Sequence, residues 1–262
     1  MTDRKLLVSW STGKDSAWMV HTLRAQGDGV IGGLLTSINE RAHRVSMHGV
    51  RVELLEAQAE ALGLALWPVP LPDPCSNDEY ARRFSDVVRR AVAEGFTHVA
   101  FGDLFLEDVR AYREERLRGT GLAPLFPLWG QPTDDLAREM VREGLEACIT
   151  CVDPAQLDRA FIGRSFDRRL LAELPSGVDP CGERGEFHTF AHAGPMFSRP
   201  IAVRTGSIVE RGGFVFADVL PLAPRASPDA TSPLPGGATV QHVRETAVQP
   251  GLARGVVVAN LD

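Results

Sequence analysis

The feature that most constrains this chain is the polar hexapeptide Ser11-Thr12-Gly13-Lys14-Asp15-Ser16, which follows the apolar run 6–8 and precedes a segment with helical periodicity. A strand, a tight turn and a helix in that order are typical of the start of an α/β fold. Gly13 allows the backbone to turn sharply. The serine hydroxyls and the first amides of the helix can then donate to phosphate oxygens, while the helix dipole and Lys14 favour negative charge there. The hexapeptide therefore predicts a phosphate-binding turn.

The sequence argues against two other interpretations of this turn. The loop G-x-x-x-x-G-K-[ST] is excluded, because Asp15 follows Lys14 and no glycine stands five residues before Gly13. A plain strand-to-helix turn capped by Asp15 or Ser16 explains neither the lysine nor the cluster of polar residues around it. Thr12 is the sensitive position, because a positive φ would strain a β-branched residue whereas a negative φ would cost little.

The hexapeptide resembles the S-G-G-K-D-S signature of the pyrophosphate-loop ATPases, in the adenine nucleotide alpha hydrolase-like superfamily, with Thr12 in place of one glycine. The resemblance implies that ATP and Mg²⁺ bind here, with Asp15 as a candidate magnesium ligand. The residues expected to bind the nucleotide are Ser11, Thr12, Gly13, Lys14, Asp15, Ser16, Thr36 and Gly102.

Residues 1 to about 105 alternate apolar runs with helix-length segments, which predicts a parallel sheet with helices on both faces. Strands are expected at 5–10, 30–37, 64–69 and 98–101, and helices after the turn, over 54–62 and over 80–92. Thr36 lies on the second strand, where a nucleotide base or ribose commonly rests in such folds. The fold class is thus α/β, a Rossmann-like sheet of the HUP type, followed by a smaller C-terminal α+β substrate domain.

The region 122–222 has a different pattern: a helix opened by Thr133, a strand over 147–152, a short helix around 166–174 and a hairpin turning at 211–213. After residue 222 the composition shifts to Pro, Ala, Ser and Gly, which indicates a linker or arm. The predicted organisation is an ATP-binding domain over 1–121, a substrate-binding domain over 122–222 and a tail over 223–262.

The formal net charge of −6 argues against a general nucleic-acid-binding surface. Lys5 and Lys14 are the two lysines, so arginine carries nearly all positive charge, as is typical of a GC-rich bacterial genome. No run of eighteen apolar residues and no signal-peptide pattern occurs. A cytoplasmic protein without a membrane partner is expected, and a homodimer stays open.

Cys148 and Cys151 have the C-x-x-C spacing of redox and metal sites, but one such pair is a weak signal. They fall in an apolar run, which favours two buried cysteines in a strand. A sulfur-transfer enzyme would instead need both cysteines beside the ATP site.

A second polar cluster, 182–189, holds two glycines, two carboxylates, a histidine and a hydroxyl, as a binding loop does. Gly102-Asp103 ends the fourth strand, and ligands of open parallel sheets bind outside the carboxyl ends of strands. These residues and the phosphate turn are expected to meet over the phosphates. The charged residues Glu107, Asp108, Arg110 and Glu114 are expected to form a solvated helix face with an Arg110–Glu114 pair.

Together, the phosphate turn, Met47-His48-Gly49, Gly102-Asp103, Pro127-Leu128-Trp129 and G-E-x-G-E-F-x-T resemble the diphthine–ammonia ligase family and its bacterial relatives over residues 5–203. The resemblance implies an amidation in which a carboxylate attacks the α-phosphate of ATP, pyrophosphate leaves and ammonia displaces AMP. The acceptor would be protein-bound diphthine or, in a bacterium, a small carboxylic acid.

The same resemblance implies roles for individual residues. Those expected to act in catalysis are Lys14, Asp103, Glu183, Glu186 and His188; those expected at the substrate are His48, Gly182, Gly185 and Thr189. The histidines are candidate proton carriers. The non-enzymatic alternative is an ATP-binding sensor, which Thr12 keeps open because a loop that binds ATP and cleaves it poorly could act as a switch.

Overall fold

The computed structural model describes residues 4–46 and 48–222. Met47 of the 47–49 turn and the 223–262 tail lie outside these residues. The described chain forms a mostly parallel sheet flanked by helices and a second, antiparallel sheet. The predicted α/β fold class is confirmed.

The first sheet is built on β1, which lies between β2 and β5. Parallel pairing extends it outwards, β4 beside β2 and β6 beside β5, while β3 pairs antiparallel with the end of β2. The strands are β1 (Lys5–Ser9), β2 (Val30–Asn39), β3 (Arg44–Val45), β4 (Leu66–Leu71), β5 (His98–Ala100) and β6 (Ala123–Leu125).

Alternation along β1 explains why helices cover both faces of this sheet. Leu6 and Val8 pack in the cluster that contains α1 and α2, whereas Leu7 packs in the cluster that contains α3. Gly27 and Gly63 end α1 and α2 in the left-handed conformation, as their positions predict. The helices are α1 (Lys14–Gln26), α2 (Val52–Leu62), α3 (Asn77–Ala93) and α4 (Glu107–Leu117).

Two features of this half differ from the expectation. β6 belongs to the first sheet, so the expected boundary between 121 and 122 cuts across that sheet. β6 has only three residues, one of them Pro124, so its sequence shows no hydrophobic alternation that would predict a strand. The segment 107–114 is helical and largely solvated, but α4 buries Arg113 and Leu117 against the sheet.

The second sheet has the antiparallel order β8, β7, β10, β9. Its strands are β7 (Glu146–Val152), β8 (Phe187–Ala193), β9 (Val203–Arg211) and β10 (Phe214–Pro221), accompanied by α5 (Thr133–Arg142) and α6 (Arg168–Glu173). The expected 182–189 loop is therefore loop only to Glu186. Its last residues begin β8, where buried Phe187 and Thr189 flank the half-exposed His188 in a strand alternation.

The two sheets share one hydrophobic core, which includes Leu6 and Val8 as well as Phe190 and Val219. Asp218 on β10 adds a polar clamp, because it accepts hydrogen bonds from Arg44 at 2.9 Å and from Arg51 at 2.7 and 3.0 Å. The shared core and these hydrogen bonds fix the antiparallel sheet over the carboxyl ends of β1 and β5.

Within the described ranges no helix has the length and apolar character needed to cross a membrane.

Candidate active site

A cavity of about 400 Å³ lies where β1 and β5 end, between the start of α1 and the 181–189 segment. The crevice at this point of an open α/β sheet is the usual ligand position. Twelve of the residues predicted from sequence line it: Ser11, Lys14, Asp15, Ser16, His48, Gly102, Asp103, Gly182, Glu183, Gly185, His188 and Thr189. The structure thus brings together the polar clusters that the sequence separates.

The phosphate turn is held by its own serines. The Ser11 and Ser16 hydroxyls lie 3.2 Å apart, and Ser16 Oγ donates to the Gly13 carbonyl at 3.0 Å. Gly13 is required for space, because a Cβ there would lie 2.8 Å from the His48 ring. The Lys14 amide donates to the Thr189 hydroxyl, but the next amides of α1, at Asp15 and Ser16, have no acceptor within the helix and can be offered to an anion.

Thr12 adopts the left-handed conformation, with φ 75°. Its side chain is fully buried outside the cavity lining, and its hydroxyl has no hydrogen-bond partner among the described residues. Its carbonyl accepts from Gln58 Nε2 and from the Ala191 amide, each at 3.0 Å. The strained alternative considered from sequence is the one found, and such a conformation costs on the order of 1–3 kcal/mol.

Lys14 is buried beside the cavity, with 2% of its side chain exposed. Its ammonium donates to both Asp15 oxygens, at 2.8 and 2.9 Å, and to the Cys181 carbonyl. Burial is the largest single influence and opposes the positive charge, but Asp15, through its charge and its hydrogen bonds, together with Cys181 and Asp179 raises the pKa of Lys14 above its usual value. The turn therefore carries a buried ammonium that is paired with Asp15.

Asp103 and Arg113 form a buried ion pair at the end of β5, with two N–O distances of 3.3 Å and exposed fractions of 4% and 2%. The Arg113 guanidinium also lies 4.9 Å from the centre of the Phe101 ring. Sequence reasoning assigned Arg113 no role. Its spacing of four residues from Leu117 was the available signal, because that spacing places both on the buried side of α4.

Glu183 brings a second carboxyl group into the cavity. Its Oε1 accepts from the Leu104 amide at 2.7 Å. Burial raises the pKa of Glu183 to about 8, and the neighbouring Asp15 and Asp103 carboxylates add to that rise. Glu183 can therefore exchange a proton near neutral pH.

Three predicted site residues, besides Thr12, lie outside the cavity lining: Glu186, Thr36 and Gly13. The Glu186 carboxylate accepts from the Asp179 amide at 2.9 Å and the Arg184 amide at 3.0 Å, so it shapes the loop. The Thr36 hydroxyl donates to the Trp10 carbonyl at 2.9 Å and is buried. These two side chains support the cavity wall.

The two predicted histidines are in contact, with ring centres 4.7 Å apart. His48 Nδ1 lies 2.9 Å from the Thr189 carbonyl oxygen. Thr189 also accepts from the Lys14 amide through its hydroxyl, at 3.0 Å, so it caps α1 from the second sheet. The two histidines therefore lie together at the cavity, and Thr189 orients the phosphate turn.

The donor set of this cavity fits a triphosphate with its magnesium ion. No group of three or more His, Cys, Asp or Glu side chains within 4–46 and 48–222 is arranged to hold a metal ion. Mg²⁺ beside phosphates commonly takes only one or two carboxylates. Asp15 and Asp103 are the cavity carboxylates that would serve in this way, although both Asp15 oxygens accept from Lys14 and Asp103 is paired with Arg113.

Neither member of the C-x-x-C pair lines the cavity. Cys151 is buried in β7, and burial raises the pKa of the half-buried Cys148 to about 11. Cys181 does line the cavity, and its thiol donates to the Thr133 carbonyl. Sequence reasoning gave Cys181 no role, and it carries no spacing motif that could have marked it.

Comparison with known proteins identifies the family. Residues 4–124 match the model of the diphthamide synthase N-terminal domain, and residues 132–216 match that of the diphthamide synthase C-terminal domain. The diphthine–ammonia ligase of Bos taurus is 27% identical over 180 residues, 63% of this chain and 67% of the relative. That of Rattus norvegicus is 31% identical over 150 residues, 55% of this chain and 56% of the relative. The match thus spans between about half and two thirds of these relatives.

A crystal structure described as a predicted subunit of tRNA methyltransferase from Methanocaldococcus jannaschii aligns with 76% of this chain and 100% of its own. Its sequence identity is 17% and its TM-score 0.37, too low a likeness to bear on function. The two family models instead cover both sheets and the cavity between them. The chain belongs to the diphthine–ammonia ligase (diphthamide synthase) family.

Proposed function

We propose that this protein is an ATP-dependent ligase that adenylates a carboxylate and amidates it with ammonia, releasing AMP and pyrophosphate. The observation that carries the proposal is one cavity in which the phosphate turn faces Asp103 and Glu183. Carboxylate and ammonia do not condense in water without activation. An anion-binding turn supplies stabilisation for a departing pyrophosphate as charge develops on it.

In the first step a carboxylate oxygen attacks the α-phosphorus, and the bond to the bridging oxygen breaks with its electron pair leaving on pyrophosphate. The turn amides and the Ser11 and Ser16 hydroxyls hold that leaving group. Lys14 neutralises it after exchanging an Asp15 contact for a phosphate oxygen. Asp15 and Asp103 would hold Mg²⁺, which when bound would supply further neutralisation of charge.

In the second step ammonia attacks the acyl carbon and AMP leaves with the electron pair. Ammonia is present mainly as ammonium at neutral pH, so a base must take its proton. Glu183, with a pKa of about 8, is matched to that task. His48 and His188 are further candidates for carrying the proton away.

The acceptor is proposed to be diphthine on a protein, or a small carboxylic acid in a bacterial setting. The curated relatives are named diphthine–ammonia ligase, which favours the first. Cytoplasmic location, a homodimer and a substrate-binding role for 122–222 remain predictions. Sulfur transfer through Cys148 and Cys151 has no support from the cavity, which neither residue lines.

The test is a product assay with ATP, Mg²⁺, ammonium and candidate acceptors. We expect AMP and pyrophosphate in equal amounts with the amide, and we expect Lys14→Ala to abolish them. Arg24→Met is a matched control: Arg24 lies on the same helix, but its guanidinium binds the Met196 and Leu62 carbonyls away from the cavity. Binding of ATP without AMP for any acceptor would favour the sensor, and full activity in Lys14→Ala would refute the role of the turn.

A further inference from the structure

We infer that Gln58 is a positioning residue for the phosphate turn: its amide holds the Thr12 peptide in the left-handed geometry that the turn needs to bind phosphate. The identity of the ligand rests on the proposed function, whereas the conformational part does not. Gln58 lies on α2, outside the cavity lining, and its side chain is fully buried. A buried amide of this kind must have its hydrogen bonds satisfied.

All the partners of the Gln58 amide lie around the turn. Oε1 accepts from Trp10 Nε1 at 3.0 Å, and Nε2 donates to the Thr12 carbonyl at 3.0 Å and the Ala191 carbonyl at 2.6 Å. The indole N–H can only donate and the carbonyls can only accept, so chemistry fixes the orientation of this amide. One side chain therefore joins the end of β1, the turn and β8.

Thr12 depends on these contacts because its own side chain does not favour its conformation. A β-branched residue at φ 75° is strained, and its buried hydroxyl has no partner among the described residues. Relaxation to a negative φ would require a neighbouring peptide group to rotate. The carbonyl hydrogen bonds to Gln58 and to the Ala191 amide fix the Thr12–Gly13 peptide, and with it ψ of Thr12, so the Ser11–Thr12 peptide alone would have to take up any change of φ.

A purely structural role for Gln58 makes a different prediction from a positioning role. If Gln58 only fills and satisfies the core, its replacement should have the same effect whichever residue stands at position 12. If it holds a strained turn, glycine at position 12 should remove the dependence, because glycine adopts the left-handed region without a steric penalty.

The experiment compares wild type, Gln58→Met, Thr12→Gly and the double variant as full chains. Affinity for ATP with Mg²⁺ is measured by calorimetry, without acceptor or ammonium. We expect Gln58→Met to weaken binding about tenfold. Thr12→Gly sets the reference affinity for the glycine background, and the double variant should stay within about twofold of it. Arg24→Met is the control, because it also removes two partly buried hydrogen bonds to carbonyls. It should have the same small effect on ATP affinity with either residue at position 12.

A tenfold loss in both backgrounds, or none in either, would overturn the inference. If no variant binds ATP, the proposed function fails, and the same four proteins are compared by urea unfolding. Non-additive free energies with rescue by Thr12→Gly would still support the inference, and additive ones would overturn it. If Gln58→Met does not fold, folding of the double variant is the supporting result, and its failure is the opposing one.

Discussion

The stability of this site depends on individual buried charges and their partners. Asp103 is held by Arg113 in an ion pair that is almost wholly buried. Arg113→Met should lower the free energy of unfolding by about 3–5 kcal/mol, because it removes the guanidinium that pairs with the buried Asp103 carboxylate. Urea unfolding measures this loss. Adding Asp103→Leu should recover much of it, and a cost below about 1 kcal/mol for Arg113→Met would contradict the buried pair.

Glu183 predicts a pH dependence of stability. Its pKa is raised from 4.5 in the unfolded chain to about 8 in the folded one, so the folded state favours the protonated form. The contribution of Glu183 to the free energy of unfolding is fully present below pH 4.5 and is lost as pH rises towards 8. Glu183→Gln mimics the protonated form. Between pH 4.5 and 8, the free energy of unfolding of Glu183→Gln should therefore rise relative to that of wild type by up to about 1.4 kcal/mol per pH unit.

Unfolding curves at several pH values measure the Glu183 effect, with Glu53→Gln, an exposed position on α2, as the control. A difference between Glu183→Gln and wild type that is constant from pH 5 to 8 would show that Glu183 is not a buried, neutral acid. The same variant should lower kcat/KM by about 10²–10⁴ if Glu183 accepts the ammonium proton.

At the scale of elements, the loop before β8 is set by glycines with different surroundings. Gly182 and Gly185 both have positive φ, 70° and 81°. A Cβ at 182 would lie 2.8 Å from the Phe187 carbonyl oxygen, whereas a Cβ at 185 would meet nothing within 4 Å. Gly185→Ala should cost about 1–2 kcal/mol from backbone strain.

Gly182→Ala should lower the free energy of unfolding clearly more than Gly185→Ala. It should also reduce ligase activity, because the neighbouring residues 181 and 183 accept hydrogen bonds from Lys14 and from the Leu104 amide. Thermal or urea unfolding beside the product assay measures both effects. Equal costs for the two variants would mean that the loop moves freely away from β8.

Elements with a full hydrophobic period could be predicted from sequence, and those without one could not. β1, α1, α2 and α3 follow their apolar patterns closely. β6 is too short to show a period, and the polar residues that start β8 look like a loop. Contacts such as Gln58 to Thr12 join residues 46 positions apart and carry no pairing signal in one sequence.

At the scale of the whole molecule, the second sheet completes the ATP cavity. Thr189 caps α1, Ala191 binds the turn, and Asp218 clamps β10 to Arg44 and Arg51. Residue types at strand ends predicted which clusters would share a cavity, because parallel sheets bind ligands there. They could not predict that Glu186 and Thr36 support the wall, since that depends on which backbone groups lie within reach.

The central claim is that a carboxylate attacks the α-phosphate, and oxygen transfer tests it most directly. An acceptor labelled with ¹⁸O in its carboxylate is incubated with the protein, ATP, Mg²⁺ and ammonium. The ¹⁸O content of each product is then measured by mass spectrometry. The account predicts one ¹⁸O atom in AMP, unlabelled pyrophosphate and an amide that keeps the other oxygen. Label in inorganic phosphate together with ADP, or AMP without label, would contradict it.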